Sequence, residues 1–328
     1  MTNVTRRALL AGSGMAAAAA AALPALATRP AEAAAPAAGR QAAGIYRYKI
    51  GTYELTALHD GTWYRPIDEK FVKNVAWPDV QKALAENFLP VDKLPLPFTA
   101  LIVNTGAKLV LIDTGTAGQL APTAPGLAPT LAAAAIDPKA IDTILISHFH
   151  PDHINGIKTK EGQLLFPNAE INVPAPEWAF WMDDATMSAA PEAARPGFLN
   201  VRRIFKDIAK DVKRFAPGKE VAPGITSIAA HGHTPGHTVF AVASGNQSVL
   251  VLGDTTNHPW LFVRNPEWQA VVDVDGAMAA DTRKKLLDRA AADRMLVQGY
   301  HFPFPASGYI ARRGSSYDLV PVMWQPTL

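Results

Sequence analysis

Short apolar runs separated by turn-forming residues follow the chain from Tyr46 onward, and this pattern predicts β-strands. One run is apolar at nearly every position, as in a strand that is buried on both faces. Glycine-containing turns between neighbouring runs predict hairpins. Strands are predicted at Tyr46–Ile50, Tyr53–Leu58, Phe98–Asn104, Lys108–Ile112, Ile141–Ser147, Glu170–Val173, Ile225–Ala230, Thr238–Ala243, Ser248–Leu252 and Met295–Gln298, with a loop at Asp60 and Gly61.

Segments with helical spacing of apolar residues lie between these strands. Helices are predicted at Ala128–Ala135, Glu177–Ser188, Asn200–Phe215 and Asp281–Asp293, and the third of these is charged and amphipathic, as expected at a surface. A strand pair that ends in Asp-Thr occurs twice, before Asp113 and before Asp254. This repeat predicts two similar halves.

The first residues of the chain differ in composition from the rest. Arg6 and Arg7 precede an alanine-rich run with Ala-x-Ala sites, which predicts a twin-arginine export signal over residues 1–33. A membrane anchor and a low-complexity tail are the alternatives, but Gly12 and Pro24 interrupt the run and alanine is only weakly apolar. We therefore expect a flexible lead over residues 34–44, a folded domain over residues 45–328, no stable membrane span in the mature chain, and a periplasmic or secreted location.

Charge and cysteine content restrict the classes of function. The 31 basic and 29 acidic residues give a formal net charge of +2 without a long run of either sign, which argues against a nucleic-acid partner. The chain contains no cysteine, which excludes disulfides, cysteine-based zinc sites and a thiol nucleophile. Any metal ion must therefore be held by histidines and carboxylates.

Three of the nine histidines lie within six residues, directly after a predicted strand. Side chains two positions apart on an extended segment point the same way, so His148 and His150 can share a metal ion. Pro151 then turns the chain and displaces Asp152 and His153 toward a second metal position.

Three further residues with metal-binding side chains, His233, Asp254 and His301, each follow a predicted apolar strand, where a sheet presents side chains at one edge. With the cluster at residues 148–153 they supply five histidines and two carboxylates. This set of ligands suits borderline divalent ions such as zinc, with manganese, iron or cobalt as alternatives.

In combination and order, four motifs of the chain resemble those of the metallo-β-lactamase superfamily over about residues 45–328. They are His-x-His-x-Asp-His at residues 148–153, His-Thr-Pro-Gly-His at residues 233–237, Gly-Asp at residues 253–254, and the late His301. The resemblance implies an α/β (α+β) fold, an αββα four-layer sandwich of two similar halves. It also implies a dinuclear centre in which one ion is held by His148, His150 and His233, the other by Asp152, His153 and His301, and both by the bridging Asp254.

Within the superfamily, the chain is similar to methyl parathion hydrolase and related exported, lactonase-like enzymes. The similar stretches are residues 53–62, 101–115, 146–156, 166–169 and 231–238. Trp181 and Phe198 match aromatic pocket positions of that group, whereas Leu120 and the segment that ends in Trp260 depart from it. These four residues are the candidate substrate-binding residues, and the departures favour lactones and aryl esters over organophosphates.

The resemblance implies an exported hydrolase in which a hydroxide that bridges two metal ions cleaves a lactone, a carboxyl ester or a phosphotriester. Asp254 would also orient that hydroxide, and Asp152 is the second candidate catalytic carboxylate. Asp113 and His237 are expected to contact the metal ligands rather than the ions. We expect a small, largely apolar substrate, with phosphotriester hydrolysis as a side reaction, and a homodimer remains open.

Two other functions remain as alternatives, a thioesterase resembling glyoxalase II and a non-catalytic metal-binding module on the same fold. A glyoxalase II-like enzyme binds an acidic glutathione group through a basic cluster, which is not evident in this sequence. A binding module need not keep a bridging carboxylate, and β-lactamases do not use one at the position of Asp254. Two ions per chain with chelator-sensitive ester hydrolysis would support the hydrolase, whereas one iron with thiol oxidation would indicate a persulfide dioxygenase-like oxidoreductase.

Overall fold

The strands form two sheets that pack face to face. The computed structural model describes residues 37–39 and 41–328, so the predicted export signal and the start of the predicted lead lie outside the described residues. The first sheet contains, in spatial order, β1 (Ile45–Ile50), β2 (Tyr53–Pro66), β3 (Lys93–Asn104), β4 (Leu109–Ile112), β5 (Thr143–Leu145), β6 (Glu170–Pro174) and β7 (Lys213–Phe215). The second sheet contains, also in spatial order, β8 (Glu220–Ala222), β9 (Ile225–Ala229), β10 (Thr238–Ser244), β11 (Gln247–Gly253), β12 (Leu296–Gly299), β13 (Ser307–Arg313) and β14 (Ser316–Pro321).

Helices and helical turns connect the strands. The α-helices of the described residues are α1 (Trp77–Glu86), α2 (Ala128–Ala133), α3 (Pro151–Ile154), α4 (Ala175–Met182), α5 (Asp184–Ala189), α6 (Arg195–Phe205) and α7 (Gly276–Ala292). Short 3₁₀ turns lie at Pro138–Ala140, Asn155–Ile157 and Glu192–Ala194, and a π-helical turn lies at Pro259–Val263. In the described part of the chain, no helix combines the length and the apolar character needed to cross a membrane.

The central strands are apolar on both faces because both faces are covered. On β3, Leu101 and Val103 pack in the layer between the sheets, together with Phe240 of the second sheet. Ala100 and Ile102 point the other way and pack in the layer that contains the helices outside the first sheet. Alternation of side chains along a strand therefore accounts for the nearly continuous apolar runs of the sequence.

The outer face of the second sheet is covered in the same manner. Leu250 and Leu252 of β11 pack in one cluster with Leu286 and Leu287 of α7. The layers are thus helix, sheet, sheet and helix, which confirms the predicted αββα sandwich.

The two halves repeat one arrangement of strands. In the first half, β3 pairs antiparallel with β4, and β4 pairs parallel with β5. In the second half, β10 pairs antiparallel with β11, and β11 pairs parallel with β12. Because parallel neighbours end at the same edge of a sheet, each half brings the segments after its two parallel strands together at that edge.

The predicted loop at Asp60 and Gly61 is instead a bulge inside a long strand. β2 continues to Pro66 and remains paired with β3, and the register shifts between His59 and Gly61. A side chain at Gly61 would lie 2.3 Å from Cα of Ala124, so the glycine permits a close approach and does not mark a turn. The ribbon of β2 and β3 beyond this bulge was therefore missed by the sequence prediction.

Three helix boundaries also differ from the prediction. The predicted helix Asn200–Phe215 ends at Phe205, and its last residues form β7, which pairs parallel with β6. The predicted helix Glu177–Ser188 is divided at Asp183. The side chain of Asp183 accepts a hydrogen bond from the backbone N–H of Thr186 and so caps the start of α5. The last helix starts at Gly276 rather than Asp281 because Asp275 caps it in the same way.

Candidate metal centre

The first group of candidate ligands brings three imidazoles together. His148 and His150 follow the carboxyl end of β5, and Pro151 at the first position of α3 turns the chain directly after them. His233 comes from the loop between β9 and β10. Its Nε2 atom and the Nε2 atom of His148 each lie 2.9 Å from Nδ1 of His150. Three ring nitrogens therefore converge at the sheet edge.

The second group consists of Asp152, His153 and His301. Oδ2 of Asp152 lies 3.3 Å from Nε2 of His153 and 3.5 Å from Nε2 of His301. Asp254, which follows β11, lies between the two groups. Its Oδ1 is 3.1 Å from Nε2 of His153, and its Oδ2 is 3.1 Å from Nε2 of His301 and 3.3 Å from Nε2 of His233. One carboxylate therefore contacts candidate ligands of both groups.

The ring nitrogens that point away from the centre are held by hydrogen bonds. Nδ1 of four histidines donates to an acceptor of the protein: His148 to Ser147 Oγ at 3.0 Å, His153 to Asp113 Oδ2 at 2.8 Å, His233 to Asp273 Oδ1 at 2.8 Å, and His301 to the Pro97 carbonyl at 3.0 Å. With the proton on Nδ1, the Nε2 atom presents a lone pair to the centre.

These residues fit a pair of divalent ions. Nε2 of His153 and Oδ1 of Asp254 are buried and have no hydrogen-bond partner among the described residues. A buried polar atom without a partner costs about 1–3 kcal/mol, which a metal ion would offset. A tetrahedral zinc ion with Zn–N bonds of about 2.0–2.1 Å holds its ligand atoms roughly 3.3 Å apart, close to the spacings in both groups.

Burial and neighbouring charges set the protonation of the histidines. Burial, together with the neighbouring His233, lowers the pKa of His150 to about 3, so His150 is a neutral candidate ligand. Burial also lowers the pKa of His233, but the carboxylates of Asp254 and Asp273 outweigh it and raise that pKa to about 9. Asp152, Asp254 and Asp113 likewise raise the pKa of His153 above its usual value in spite of its burial. Metal binding must therefore displace protons from His153 and His233.

His237 contacts the backbone of Asp254 and not the centre itself. Its Nδ1 donates to the carbonyl of Ala230 at 3.0 Å, and its Nε2 accepts from the backbone N–H of Asp254 at 3.0 Å. Gly253 has φ +49°, and a side chain there would lie 2.8 Å from Nε2 of His237. The pair formed by His237 and Gly253 thus fixes the start of the segment that carries Asp254.

Two carboxylates next to the ligands were not predicted. Asp273 accepts from His233 and is held by the fully buried Arg283, whose Nη2 lies 3.4 Å from Oδ2 of Asp273. Asp273 lies between the π-helical turn and α7, outside every predicted strand, so no strand-end signal pointed to it.

The other unpredicted carboxylate, Glu177, joins the two loops that carry the first group of ligands. It is fully buried and accepts from the backbone N–H groups of Phe149 at 3.0 Å and Gly236 at 2.8 Å. It also accepts from Nε1 of Trp181 at 2.6 Å and from Oγ1 of Thr234 at 2.8 Å. The sequence prediction took it only as the first residue of a helix.

A cavity of about 240 Å³ opens directly beside the candidate ligands. Four of the ligands contribute to its wall, namely His150, Asp152, Asp254 and His301. The remainder of the wall is mostly apolar and comes in large part from the β2–β3 ribbon: Trp63, Arg65, Leu96, Phe98, Leu120, Pro151, Asn257 and Val272. The centre therefore faces a small apolar space.

The predicted substrate-binding residues lie at different distances from this cavity. Leu120 lines it. Trp181 and Phe198 are not part of its wall: the ring centroid of Trp181 lies 6.3 Å from that of His150, and the buried Phe198 lies 4.7 Å from Trp181. Trp260 is placed elsewhere, because Pro259 begins the π-helical turn and the indole packs against His258, along a separate cavity.

Comparison with known proteins agrees with this geometry. The sequence matches the family model of the metallo-beta-lactamase superfamily over residues 95–297, more than half of the chain. Among solved structures, it is similar to AidC, a dizinc quorum-quenching lactonase in complex with a product N-hexnoyl-L-homoserine, with 27% identity and a TM-score of 0.81 over 86% of this chain and 99% of that chain. The hydrolase AbOPH in the beta lactamase superfamily has 28% identity and a TM-score of 0.81 over 87% and 100%. A probable metal-dependent hydrolase from Staphylococcus aureus, with 21% identity and a TM-score of 0.71 over 86% and 100%, supports the fold alone.

Among curated proteins, no significant match was found. The particular similarity to methyl parathion hydrolase therefore stays a prediction. The family match, the αββα layers and the two groups of candidate ligands at one sheet edge agree with one another. The chain belongs to the metallo-β-lactamase superfamily and has the candidate dimetal site of its hydrolases.

Proposed function

We propose that the chain hydrolyses a small, largely apolar lactone or aryl ester with the help of two divalent metal ions, zinc in the first place. The proposal rests on the position of Asp254, whose carboxylate faces His233 of the first group and His153 and His301 of the second, beside a mostly apolar cavity. The similarity to the dizinc lactonase AidC supports both the metal and the substrate class.

Two bound divalent ions would lower the pKa of water to roughly 7 and polarise the carbonyl oxygen of the substrate. The chain itself contributes orientation. The buried Asp254 is placed to accept a hydrogen bond from the attacking water and to direct it toward the cavity, and Asp152 stands at the wall of the same cavity. The apolar side chains of Leu96, Phe98 and Leu120 would hold the acyl part of the substrate and exclude other water.

Phosphotriesters are proposed only as slower side substrates. A thioester substrate remains the alternative for the same site, since the same arrangement of ligands and cavity would also polarise a thioester carbonyl.

A panel of substrates tests this proposal. Lactones, aryl esters, thioesters and paraoxon-type phosphotriesters would be assayed with the metal-free protein and with the protein loaded with zinc, manganese or cobalt. We expect metal-dependent and chelator-sensitive hydrolysis, with the highest kcat/KM for a lactone or aryl ester. The absence of hydrolysis of every lactone and ester, in a protein shown to contain two ions, would refute the proposal.

We also propose export by the twin-arginine route, which is supported by Arg6 and Arg7 and by the alanine-rich run that follows them. Replacement of both arginines by lysine should retain the full-length chain in the cytoplasm, as measured by cell fractionation. Equal amounts of the variant and the wild-type protein outside the cytoplasm would contradict this proposal.

A further inference from the structure

We propose that Arg65 forms an anion subsite in the cavity wall and that the preferred substrates carry a carboxylate on the acyl part remote from the scissile ester. This inference rests on the proposed ester or lactone hydrolysis and adds a charge requirement to it. Three observations on the Arg65 guanidinium support it: its position in the cavity wall, its lack of a hydrogen-bond acceptor, and its contacts with aromatic rings.

The position of Arg65 follows from the ribbon beyond the β2 bulge. Trp63 and Arg65 are two positions apart on β2, opposite Leu96 and Leu94 of β3, so their side chains leave the same face of the ribbon. Both residues line the cavity that also contains Asp152 and His301. Arg65 thus supplies a positive charge to a wall that is otherwise mostly apolar.

The guanidinium of Arg65 has no acceptor of its own. In residues 37–39 and 41–328, it makes no hydrogen bond and no ion pair within 4.0 Å, although the side chain is half-buried. Arg283, the other arginine near the centre, donates to three backbone carbonyls and faces Asp273. Of the two arginines, only Arg65 therefore keeps all its donors available for a ligand.

Aromatic rings hold the guanidinium in place. Its central carbon lies 5.4 Å from the ring centroid of Trp63 and 5.5 Å from that of Phe71. These contacts place the cation over aromatic rings and use none of its N–H groups in hydrogen bonds with neighbouring residues. A planar fork that is already oriented loses little conformational entropy when it binds a carboxylate through two hydrogen bonds.

The charges of the centre favour an anion rather than a neutral acceptor at this place. Asp152 is the carboxylate whose charge acts on Arg65, but Asp152 is also a candidate metal ligand. Two divalent ions carry four positive charges against the two negative charges of Asp152 and Asp254. With the ions bound, the two carboxylates of the cavity wall would be engaged as ligands, and Arg65 would keep its charge without a counterion among the described residues.

A matched pair of esters tests the subsite. The para-nitrophenyl ester of hexanoate and the mono-para-nitrophenyl ester of adipate have the same chain length and differ in a terminal methyl or carboxylate. We expect the wild-type protein to prefer the adipate ester, mainly through a lower KM. In Arg65→Met, the ratio of the two kcat/KM values should fall about tenfold to a hundredfold, the range for a hydrogen-bonded charge pair.

Two further variants control this test. Arg65→Lys keeps the charge without the planar fork and should retain part of the preference. Arg264→Met removes an arginine that pairs with Asp318 away from this cavity, and it should leave the ratio of the two esters unchanged. If the ratio of kcat/KM for the adipate ester to that for the hexanoate ester is the same in wild type and Arg65→Met, even where both values fall, the proposal is overturned.

Equilibrium binding separates this proposal from the proposed function. Adipate should bind the metal-loaded protein at least about tenfold more tightly than hexanoate in isothermal titration calorimetry, and Arg65→Met should abolish the difference. If no lactone or ester of the panel is hydrolysed but the difference in binding is found, the proposed function fails and the anion subsite stands. If the esters are hydrolysed and both acids bind equally, the subsite fails and the hydrolase stands.

Discussion

The two halves of the molecule place an aspartate at the same point and use it differently. Asp113 follows β4 and Asp254 follows β11, each beside a parallel strand whose end carries a histidine of the centre. Asp113 is satisfied by the protein, since it accepts from the backbone and hydroxyl of Ser147 and from Nδ1 of His153. Asp254 keeps a buried oxygen without a hydrogen-bond partner in the described residues. The repeat therefore determines where a carboxylate lies, and the neighbouring donors decide whether it orients a ligand or serves as one.

The largest loss of activity and of bound metal is expected for Asp254→Asn. The amide keeps the shape of the side chain but removes the charge that faces both groups of ligands. We expect kcat/KM to fall on the order of 10³-fold and the metal content to fall below two ions per chain, as measured by mass spectrometry of the digested protein. Full activity with two bound ions in this variant would refute the assignment of Asp254.

Asp113→Asn makes the same chemical change at the corresponding position of the first half, and activity and metal affinity should fall less. The amide offers one oxygen and one NH2 group to the three donors that face Asp113, so the His153 ring is held less firmly, which costs about 10-fold to 100-fold in metal affinity or activity. Titration with zinc should still reach two ions per chain. A loss as large as that of Asp254→Asn would remove the distinction between the two halves.

The comparison also explains why the second half needs a further carboxylate. Because Asp254 faces the centre, the acceptor for Nδ1 of His233 comes from Asp273, outside the repeated strands. Asp273→Asn should weaken metal binding by about 10-fold to 100-fold. Asp275→Asn is the matched control, because asparagine also caps a helix and the side chain of Asp275 accepts from the backbone of Met278. An equal effect of the two variants would contradict the role of Asp273.

Much of this centre could be predicted from the sequence, and the omissions have physical reasons. The sequence predicts that His148, Asp254 and His301 lie at strand ends, because an apolar run precedes each of them. The division of the ligands between two ions was inferred from the family resemblance. Asp273 was not visible, because its partner His233 is distant in sequence. Gly61 was interpreted as a turn residue, although it serves a bulge that only the packing against Ala124 requires.

Metal affinity should depend on pH in a defined direction. In the metal-free protein the pKa of His233 is raised to about 9, and that of His153 is raised as well. Below these values a proton must leave before an ion binds, so affinity should rise by about tenfold per pH unit for each displaced proton and level off above the raised pKa values. Competition with a chelator at several pH values measures the slope, and an affinity independent of pH would contradict the assignment of these ligands.

The smallest effect on turnover is expected for Glu177→Gln. The carboxylate accepts four hydrogen bonds that join the loops of Phe149 and Gly236, and an amide nitrogen would face two of the donors. We expect the free energy of unfolding to fall by about 1–3 kcal/mol, measured by denaturant titration, while the folded variant keeps most of its activity. The exposed Glu161→Gln is the control, and equal stability of the two variants would show that Glu177 does not hold these loops together.

The central claim is that two ions share Asp254, and anomalous diffraction from crystals of the zinc-loaded protein tests it most directly. The account predicts two zinc peaks about 3.5–4 Å apart, one beside His148, His150 and His233 and the other beside Asp152, His153 and His301, with an oxygen of Asp254 bound to each. A single peak, or two peaks of which Asp254 contacts only one, would contradict it.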